Sequence, residues 1–300
     1  MSWPAVFLHP DDRADFYQIA INFARCVTPS SDLAFEHLYN FWEKDISRPL
    51  WELCFYGDYF RCGHVVLETA RAIGKHRIEA QLLHEMGFCY MERGKLNSAE
   101  SYLKKSLDIV SELNDQMNMC RVNRYLALVY YRHYDFTRAE CHIDIAEKIL
   151  ALHQQDNDQW TLHASALHNL RGSIRMKQGE ASALQYFKEA YQKASMLKKH
   201  KEYYKLSSLT NIGKFYRDRG ELSKAQPILE QALSASEAIS RTALVAGLHI
   251  ALSLLHSQKE NYAVAITHID KAIEAAGKEH PRIRDKAVAL KTTLTKELSV

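Results

Sequence analysis

Fifteen histidines in a chain of 300 residues are enough to build a metal centre or an acid–base pair, so their spacing is the first question. A zinc site of the H-E-x-x-H type needs a second histidine four residues after the first, on one helix face. His84 is followed by Glu85, but position 88 is Phe88, and the second ligand is missing. His163 and His168 are five apart and leave a common helix face. The phrase A-x-x-H-I-D-x-A occurs at 139–146 and again at 265–272, setting His142 near Asp144 and His268 near Asp270. Residues two apart on a helix point in different directions, so neither pair forms a His-Asp dyad, and the repetition reads as duplicated packing. No G-x-S-x-G elbow, glycine-rich phosphate loop or Cys-His signature is present. The expectation is a non-enzyme with no metal and no cofactor; a hydrolase with a site assembled from distant segments is the alternative that local motifs leave open.

The elements that could position any site follow from composition. Apolar residues make up 47% and charged residues 25%, which excludes disorder and low complexity. With only 11 Gly and 6 Pro the chain lacks the turn residues of a many-stranded protein, and a mostly helical fold is implied. The net charge of +3 is too small to imply nucleic-acid binding by itself. It is unevenly spread, however: the first sixty residues carry 4 Lys+Arg against 9 Asp+Glu, and the last sixty carry 9 against 6. Such polarity can orient a partner or stack copies head to tail, so a homo-oligomer is one expectation. Cys26, Cys54, Cys62, Cys89, Cys120 and Cys141 contain no CxxC pair and read as reduced core thiols. The opening MSWPAVFLHPDD turns charged too early for a signal peptide or anchor, and no N-x-[ST] sequon occurs; a cytoplasmic address without membrane contact is expected.

One phrase recurs along the chain. Its best copies are LHEMGFCYMERGKLNSAESYLKKSL at 83–107 and LTNIGKFYRDRGELSKAQPILEQAL at 209–233, with weaker copies at 123–149, 168–194 and 249–273 and a degenerate one at 49–73. Small residues Gly87, Ala127, Gly172, Gly213 and Ser253 let a first helix, A, approach a second, B, on which Ala99, Ala139, Ala183, Ala225 and Ala265 are equally small. An aromatic three residues on (Tyr90, Tyr130, Tyr216) plugs the next turn, and Gly94, Gly179 and Gly220 supply the reversal. Helices are also expected over 11–27, over 31–42 and, opened by Pro281, over 282–298. The domain reading is capping helices over 1–42, a repeat solenoid over 43–278 and a capping helix over 279–300.

This pattern resembles the tetratricopeptide repeat over roughly residues 42–275. The small-residue spacings of 40, 45, 41 and 40 exceed the usual period of about 34, which predicts longer helices. In period and phrasing the repeats are also similar to the helical sensor repeats of NB-ARC-like and maltose-regulator-type signalling ATPases, and to peptide-sensing regulators of the Rap kind. No Walker loop is present, so ATPase kinship would make the chain a detached or stand-alone sensor part. Only about forty residues precede the first repeat, short for the effector bundle of a Rap-like regulator. The resemblance implies an all-α, right-handed superhelix of about six helix pairs whose A helices line a concave groove.

The groove-lining positions form one helical stripe relative to the small residue. They include Arg121, Arg124, Tyr131 and Arg132 in the third copy, Asn169 and Lys177 in the fourth, and Asn211, Lys214 and Arg217 in the fifth. Arg, Lys, Asn and Tyr suit carboxylates and the amides of an extended peptide. These residues are the candidate binding site, for a protein or peptide with an acidic or carboxylate-bearing segment. The order differs from the carboxylate clamp of chaperone-binding repeats, so that function is not carried over. The run Lys198-Lys199-His200-Lys201 reads as a solvated helix end, with no nucleic acid expected. The function read from the sequence is a non-catalytic binding scaffold or adaptor, the alternative a Rap-like peptide sensor.

Overall fold

The computed structural model describes residues 32–47, 50–51, 56–153, 157–239, 241–278 and 280–298, together with Gln18 and Asn22. Among the described residues the regular structure is thirteen α-helices and one π-helical segment. The chain divides into two compact units, 1–125 and 126–300, with the boundary inside one helix. The first unit holds α1 (Asp32–Phe41), its π-helical continuation Trp42–Ser47, α2 (Tyr56–Ala72), α3 (His76–Glu92), α4 (Leu96–Glu112) and the start of α5 (Gln116–Arg132). The second holds the rest of α5, α6 (Phe136–Ala151), α7 (Asp158–Lys177), α8 (Ala183–Ser195), α9 (Lys201–Asp218), α10 (Leu222–Ala238), α11 (Thr242–Gln258), α12 (Tyr262–Ala276) and α13 (Pro281–Leu298). Successive helices pack as antiparallel pairs, the arrangement of a tetratricopeptide-like α-solenoid. The A helices are α3, α5, α7, α9 and α11. No helix among the described residues is long and apolar enough to cross a membrane.

The long repeat period appears as helix length: α3, α4 and α5 run 17 residues each and α7 runs 20. What holds each pair together is an exchange of volume across the seam. A Cβ on Gly87 would lie 2.8 Å from Leu103, one on Gly213 2.6 Å from Leu229, and one on Gly172 2.7 Å from the Phe187 ring. The bulky partner is thus the residue four places after the B-helix alanine, one turn further along the same face. Ala99, Ala183 and Ala225 are themselves fully buried beside it. At the turns Gly94, Gly179 and Gly220 adopt φ of +77°, +78° and +76°, a region that L residues enter only with strain. Tyr134 and Glu260 take the same place in the third and last pairs at φ of 62° and 59°.

The first pair inverts this exchange, which corrects the copy read at 49–73. There α2 runs unbroken through Gly57 and Gly63 and packs on α1 and its π-helical continuation. Bulk sits on the A side as Trp42, and the B side is empty: a Cβ on Gly63 would meet the Trp42 ring and Met86 at 3.0 Å. Trp42, Trp51, Tyr56, Tyr59 and Phe88 then form a chain of aromatic contacts, with centroids 5.0 Å apart for Trp42–Tyr59 and for Trp51–Phe88. The helix expected over 31–42 is α1, and that over 282–298 is α13. The helix expected over 11–27 lies outside the described residues except for Gln18 and Asn22, as do Cys26 and Cys54.

The thiol reading needs one correction. Cys62, Cys89 and Cys120 are buried, but Cys141, on the outer side of α6, is exposed. Burial pushes the Cys62 thiol up to about 12 and Cys120 to about 11, which makes both poor nucleophiles. Site-resolved mass spectrometry after mild alkylation should find Cys141 modified promptly and Cys62, Cys89 and Cys120 only after unfolding. Rapid native labelling of those three would contradict the packing described.

A second expectation separates close approach from helix propensity. Gly213→Leu should cost about 1–3 kcal/mol or more by overpacking against Leu229, with hydrogen exchange rising locally in α9 and α10. Gly247 lies in α11 with nothing within 4 Å of a built Cβ, so Gly247→Ala should stabilise by up to about 1 kcal/mol. Equal thermal shifts for the two variants would show that the seam is misplaced.

Candidate functional site

In the first unit the inner face of α3 is committed to a polar network. Tyr39 donates to Gln81 Oε1 at 3.1 Å, Gln81 Nε2 donates to Glu85 at 3.1 Å, and the Tyr59 hydroxyl donates to the same carboxylate. Burial pushes Glu85 above the usual carboxylate range. His84 is buried, and burial followed by the charge of Arg121 holds it well below the ordinary histidine value. Arg121 donates to Asn118 Oδ1 at 3.1 Å and approaches His84 Nε2 at 3.5 Å. Arg124 lies with its guanidinium carbon 4.4 Å from the centre of the Tyr125 ring. Both arginines named by the sequence in this unit are therefore braced by their own neighbours.

The second unit gathers the remaining candidates. Tyr131 and Arg132 are partly buried near the end of α5, with Ser173 of α7 within hydrogen-bonding reach of the Tyr131 hydroxyl. Asn169 is buried, its amide donating to Ser208 Oγ at 2.8 Å while its carbonyl accepts from Asn211 Nδ2 at 3.2 Å. The two asparagines thus form a rung between α7 and α9. Lys177 is exposed at the end of α7. Directly after the small position of α9, Gly213, comes Lys214, partly buried, and about one turn beyond it Arg217, buried with 9% exposure. Arg217 Nε donates to its neighbour Asp218 at 2.8 Å. Burial, then the charges of Arg217 and Lys286, bring the Lys214 ammonium down to about 8.

Sequence reasoning missed Arg282 and Lys286. They lie one turn apart on α13, which packs on α11 and α12, yet their charges act on Lys214 of α9. Lys286 is itself held below the ordinary lysine value by desolvation and then by Lys177, Arg217 and Arg282. Local spacing carries no sign of this approach, because the α13 charges read as a solvated outer side.

The duplicated His-Asp phrase divides its labour between two neighbours. His142 stacks on Tyr130, centroids 5.3 Å apart, and His268 stacks on His256 at 5.4 Å, so each histidine covers the plug position of its A helix. Asp144 pairs with Arg171 of α7, and Asp270 with Lys291 of α13 at 2.6 Å, so each aspartate ties to the following helix. In the last pair the plug is itself a histidine, and His249 Nδ1 meets His268 Nδ1 at 3.0 Å. No group of three His, Cys, Asp or Glu among the described residues could hold a metal ion. The basic run is a bend over 198–200 that leads into α9 at Lys201, and its Lys198 and Lys199 backbone N–H groups donate to Asp158 at 2.9–3.1 Å.

The tetratricopeptide-repeat family models match residues 80–109, across α3 and α4, and residues 206–240, across α9 and α10. No curated protein sequence matches the chain. Solved structures share the fold at low identity. NprR in complex with its cognate peptide NprX is 14% identical with TM-score 0.64, over 95% of this chain and 84% of that one. A Rap protein complexed with Competence and Sporulation Factor is 12% identical with TM-score 0.62, over 97% and 88%. A signal-transduction ATPase with a tetratricopeptide repeat sensor from Pyrococcus horikoshii is 16% identical with TM-score 0.59, over 96% of this chain and 44% of that one. The likeness in each case is one of fold.

The histidine cluster has a measurable consequence. Burial holds His249, His256 and His268 below the ordinary value, His268 at about 4. A histidine depressed in the folded state contributes stability that is present above the unfolded value near 6.5 and lost as pH falls toward 4. The protection of amides in α11 and α12, corrected for the pH dependence of intrinsic exchange, should fall over that window by on the order of 1–2 kcal/mol after allowing for solvent screening. His256→Tyr, which restores the aromatic of the other pairs, should flatten the dependence. A flat profile in the parent chain would contradict the cluster.

Proposed function

We propose that this tetratricopeptide-repeat chain is a non-catalytic binding module, and that the A-helix face of its second unit takes a peptide or protein segment carrying acidic or carboxylate groups. The observation that carries the reading is the cationic, hydrogen-bonding character of that face. Lys177, Lys214 and Arg217 lie on consecutive A helices among Tyr131, Asn169 and Asn211, and the lysine charges are held close together rather than paired off. Crowded like charges do not help a solenoid fold, so a recognition role accounts for them better than a structural one. Carboxylates answer such a surface with charge-assisted hydrogen bonds, and the Asn211 amide and Tyr131 hydroxyl suit the backbone of an extended segment. Arg132 belongs to the same reading as a flanking cation, and Arg121 and Arg124 are the cations that the first unit offers on its own A-helix face. Reduced buried thiols at Cys62, Cys89 and Cys120 fit a cytoplasmic setting.

A second reading, a peptide-sensing regulator, draws on the shared fold of NprR with NprX and of a Rap protein with its factor. In that version the bound segment selects one packing of the repeats over another, and the scaffold reports it to a second partner.

Lys177→Glu with Lys214→Glu separates binding from folding. Reversal removes like-charge crowding around Arg217, so the melting temperature should stay level or rise. Proteins retained by the parent chain at physiological salt, identified by mass spectrometry, should be lost by at least about tenfold. A folded double variant that retains the same proteins would overturn the reading.

A further inference from the structure

The loops that lead from each B helix to the next A helix lie in a row along one edge of the second unit. Asp158, at the start of α7, accepts from the Lys198 and Lys199 backbone N–H groups at 2.9–3.1 Å, which joins the α6–α7 loop to the α8–α9 loop. The guanidinium carbon of Arg241, in the α10–α11 loop, lies 5.5 Å from the centre of the Tyr203 ring on the first turn of α9. Thr242, one residue on, meets His280 Nε2 of the α12–α13 loop at 3.1 Å. Along this row Lys198, Lys199, Lys201 and Lys278 are exposed, and so are two large apolar residues, Leu152 at 76% and Met196 at 72%. Both apolar residues are the C-cap of their B helix, so the protrusion recurs at one place in successive pairs. Next to Leu152, His153 stacks on Trp160 with ring centroids 4.4 Å apart.

The opposite edge is built differently. Three of its A-to-B turns carry an acid matched at short range by a cation: Asp135 by Arg138 at 2.6 Å, Glu180 by Arg175 at 3.3 Å and Glu221 by Lys224 at 2.7 Å. On the B-to-A edge, Asp158 is taken up by backbone groups and Glu202 pairs with Lys205 at 3.2 Å. Among the described residues Lys198, Lys199, Lys201 and Lys278 form no ion pair. These charges do not serve the helices either. Lys201 opens α9 and Arg241 is the N-cap of α11, positions at which positive charge opposes the helix dipole, and neither helix start has a side-chain cap.

We infer that the B-to-A edge of the second unit docks on an anionic membrane surface, its lysines meeting the lipid headgroups while Leu152 and Met196 enter the boundary between headgroups and acyl chains. Charge complementarity selects an anionic partner. The protruding side chains select one that yields to them, because a bilayer interface admits a leucine or methionine without a preformed pocket and a folded protein must offer a matching one. Trp160 and Tyr203 have the apolar body and polar tip that suit a headgroup layer. Binding of this kind is peripheral, and no helix among the described residues is long and apolar enough to cross a membrane. Attraction of the lysines weakens with salt, while the contribution of the two apolar residues persists. The run over 198–201, expected from the sequence to be only a solvated helix end without membrane contact, becomes part of this surface. The edge is separate from the A-helix face proposed for a peptide and does not depend on it.

The test is flotation of the full chain with vesicles of phosphatidylcholine alone and of phosphatidylcholine with a third phosphatidylserine, at physiological salt. The parent chain is expected to partition onto the anionic vesicles at least about tenfold more strongly than onto the neutral ones. Lys198→Gln with Lys199→Gln and Lys201→Gln should remove that preference. Leu152→Ser with Met196→Ser should weaken partitioning about tenfold and leave the remainder fully released by high salt. Lys105→Gln with Lys188→Gln and Lys271→Gln, three exposed lysines of the B helices α4, α8 and α12, should change neither, and circular dichroism checks that every variant is folded. No partitioning of the parent, or equal partitioning onto both vesicles, would overturn the proposal. An equal loss in the B-helix control would overturn the edge as the surface, and an unchanged Leu152 and Met196 variant would overturn insertion. A parent that ignores vesicles yet is retained on immobilised polyglutamate through Lys198, Lys199 and Lys201 would overturn the membrane as partner and put an acidic protein in its place.

Discussion

Four helix pairs among the described residues depend on one steric exchange, in which a residue with little or no side chain on one helix admits a bulky one from its partner. Gly87 with Leu103, Gly172 with Phe187 and Gly213 with Leu229 are its clearest cases. Because the two volumes are complementary, the helices approach closely enough to bury their alanines completely. The first pair keeps the exchange and reverses its direction, with Trp42 against Gly63. What is held constant is therefore the summed volume at the crossing, and the position that carries it can change helix. Once seams are set this way, the side of each A helix away from its own B helix is left for polar residues, and neighbouring A helices bring those residues together.

The polar residues so assembled fall into two kinds. Some are engaged by the fold: the Asn169–Asn211 rung, the three carboxylates around Arg171, and the Tyr59–Glu85–Gln81 network each hold their members by hydrogen bonds or ion pairs. Such groups tie helix to helix. Lys177, Lys214 and Lys286 are of the other kind, since among the described residues none of them takes part in an ion pair and Lys286 feels the charge of Lys177. That contrast, drawn on adjacent turns of α9 between Asn211 and Lys214, is why the functional reading rests on the lysines and not on the asparagines.

Much of this architecture was legible in the primary structure. The phrase around Gly87 and Gly213 specified helix, close crossing and turn together, and the left-handed turn glycines follow from the same alignment. The first pair was not legible as such, because alignment assumes that small residues stay on the same helix while volume complementarity does not require it. Cys141 departs from the core-thiol reading because the absence of a CxxC pair says nothing of which helix face a cysteine occupies, and Cys141 stands exposed on α6. For the site, Lys177, Lys214 and Arg217 could be placed on the A-helix stripe from helical periodicity alone. Arg282 and Lys286 could not, since their approach to α9 arises from how successive pairs stack within the second unit, and no local pattern encodes that.

The central claim is that this unit keeps positive charge crowded and partly buried where its fold does not need it. The most direct measurement is an NMR titration of the lysine side chains in chain labelled at Cε, with Lys214 assigned by its Lys214→Arg variant. Burial and then the neighbouring cations predict that Lys214 titrates near 8 and moves upward when Arg217 is replaced by alanine. Titration of Lys214 at the ordinary lysine value of about 10.4, unmoved by that replacement, would contradict it.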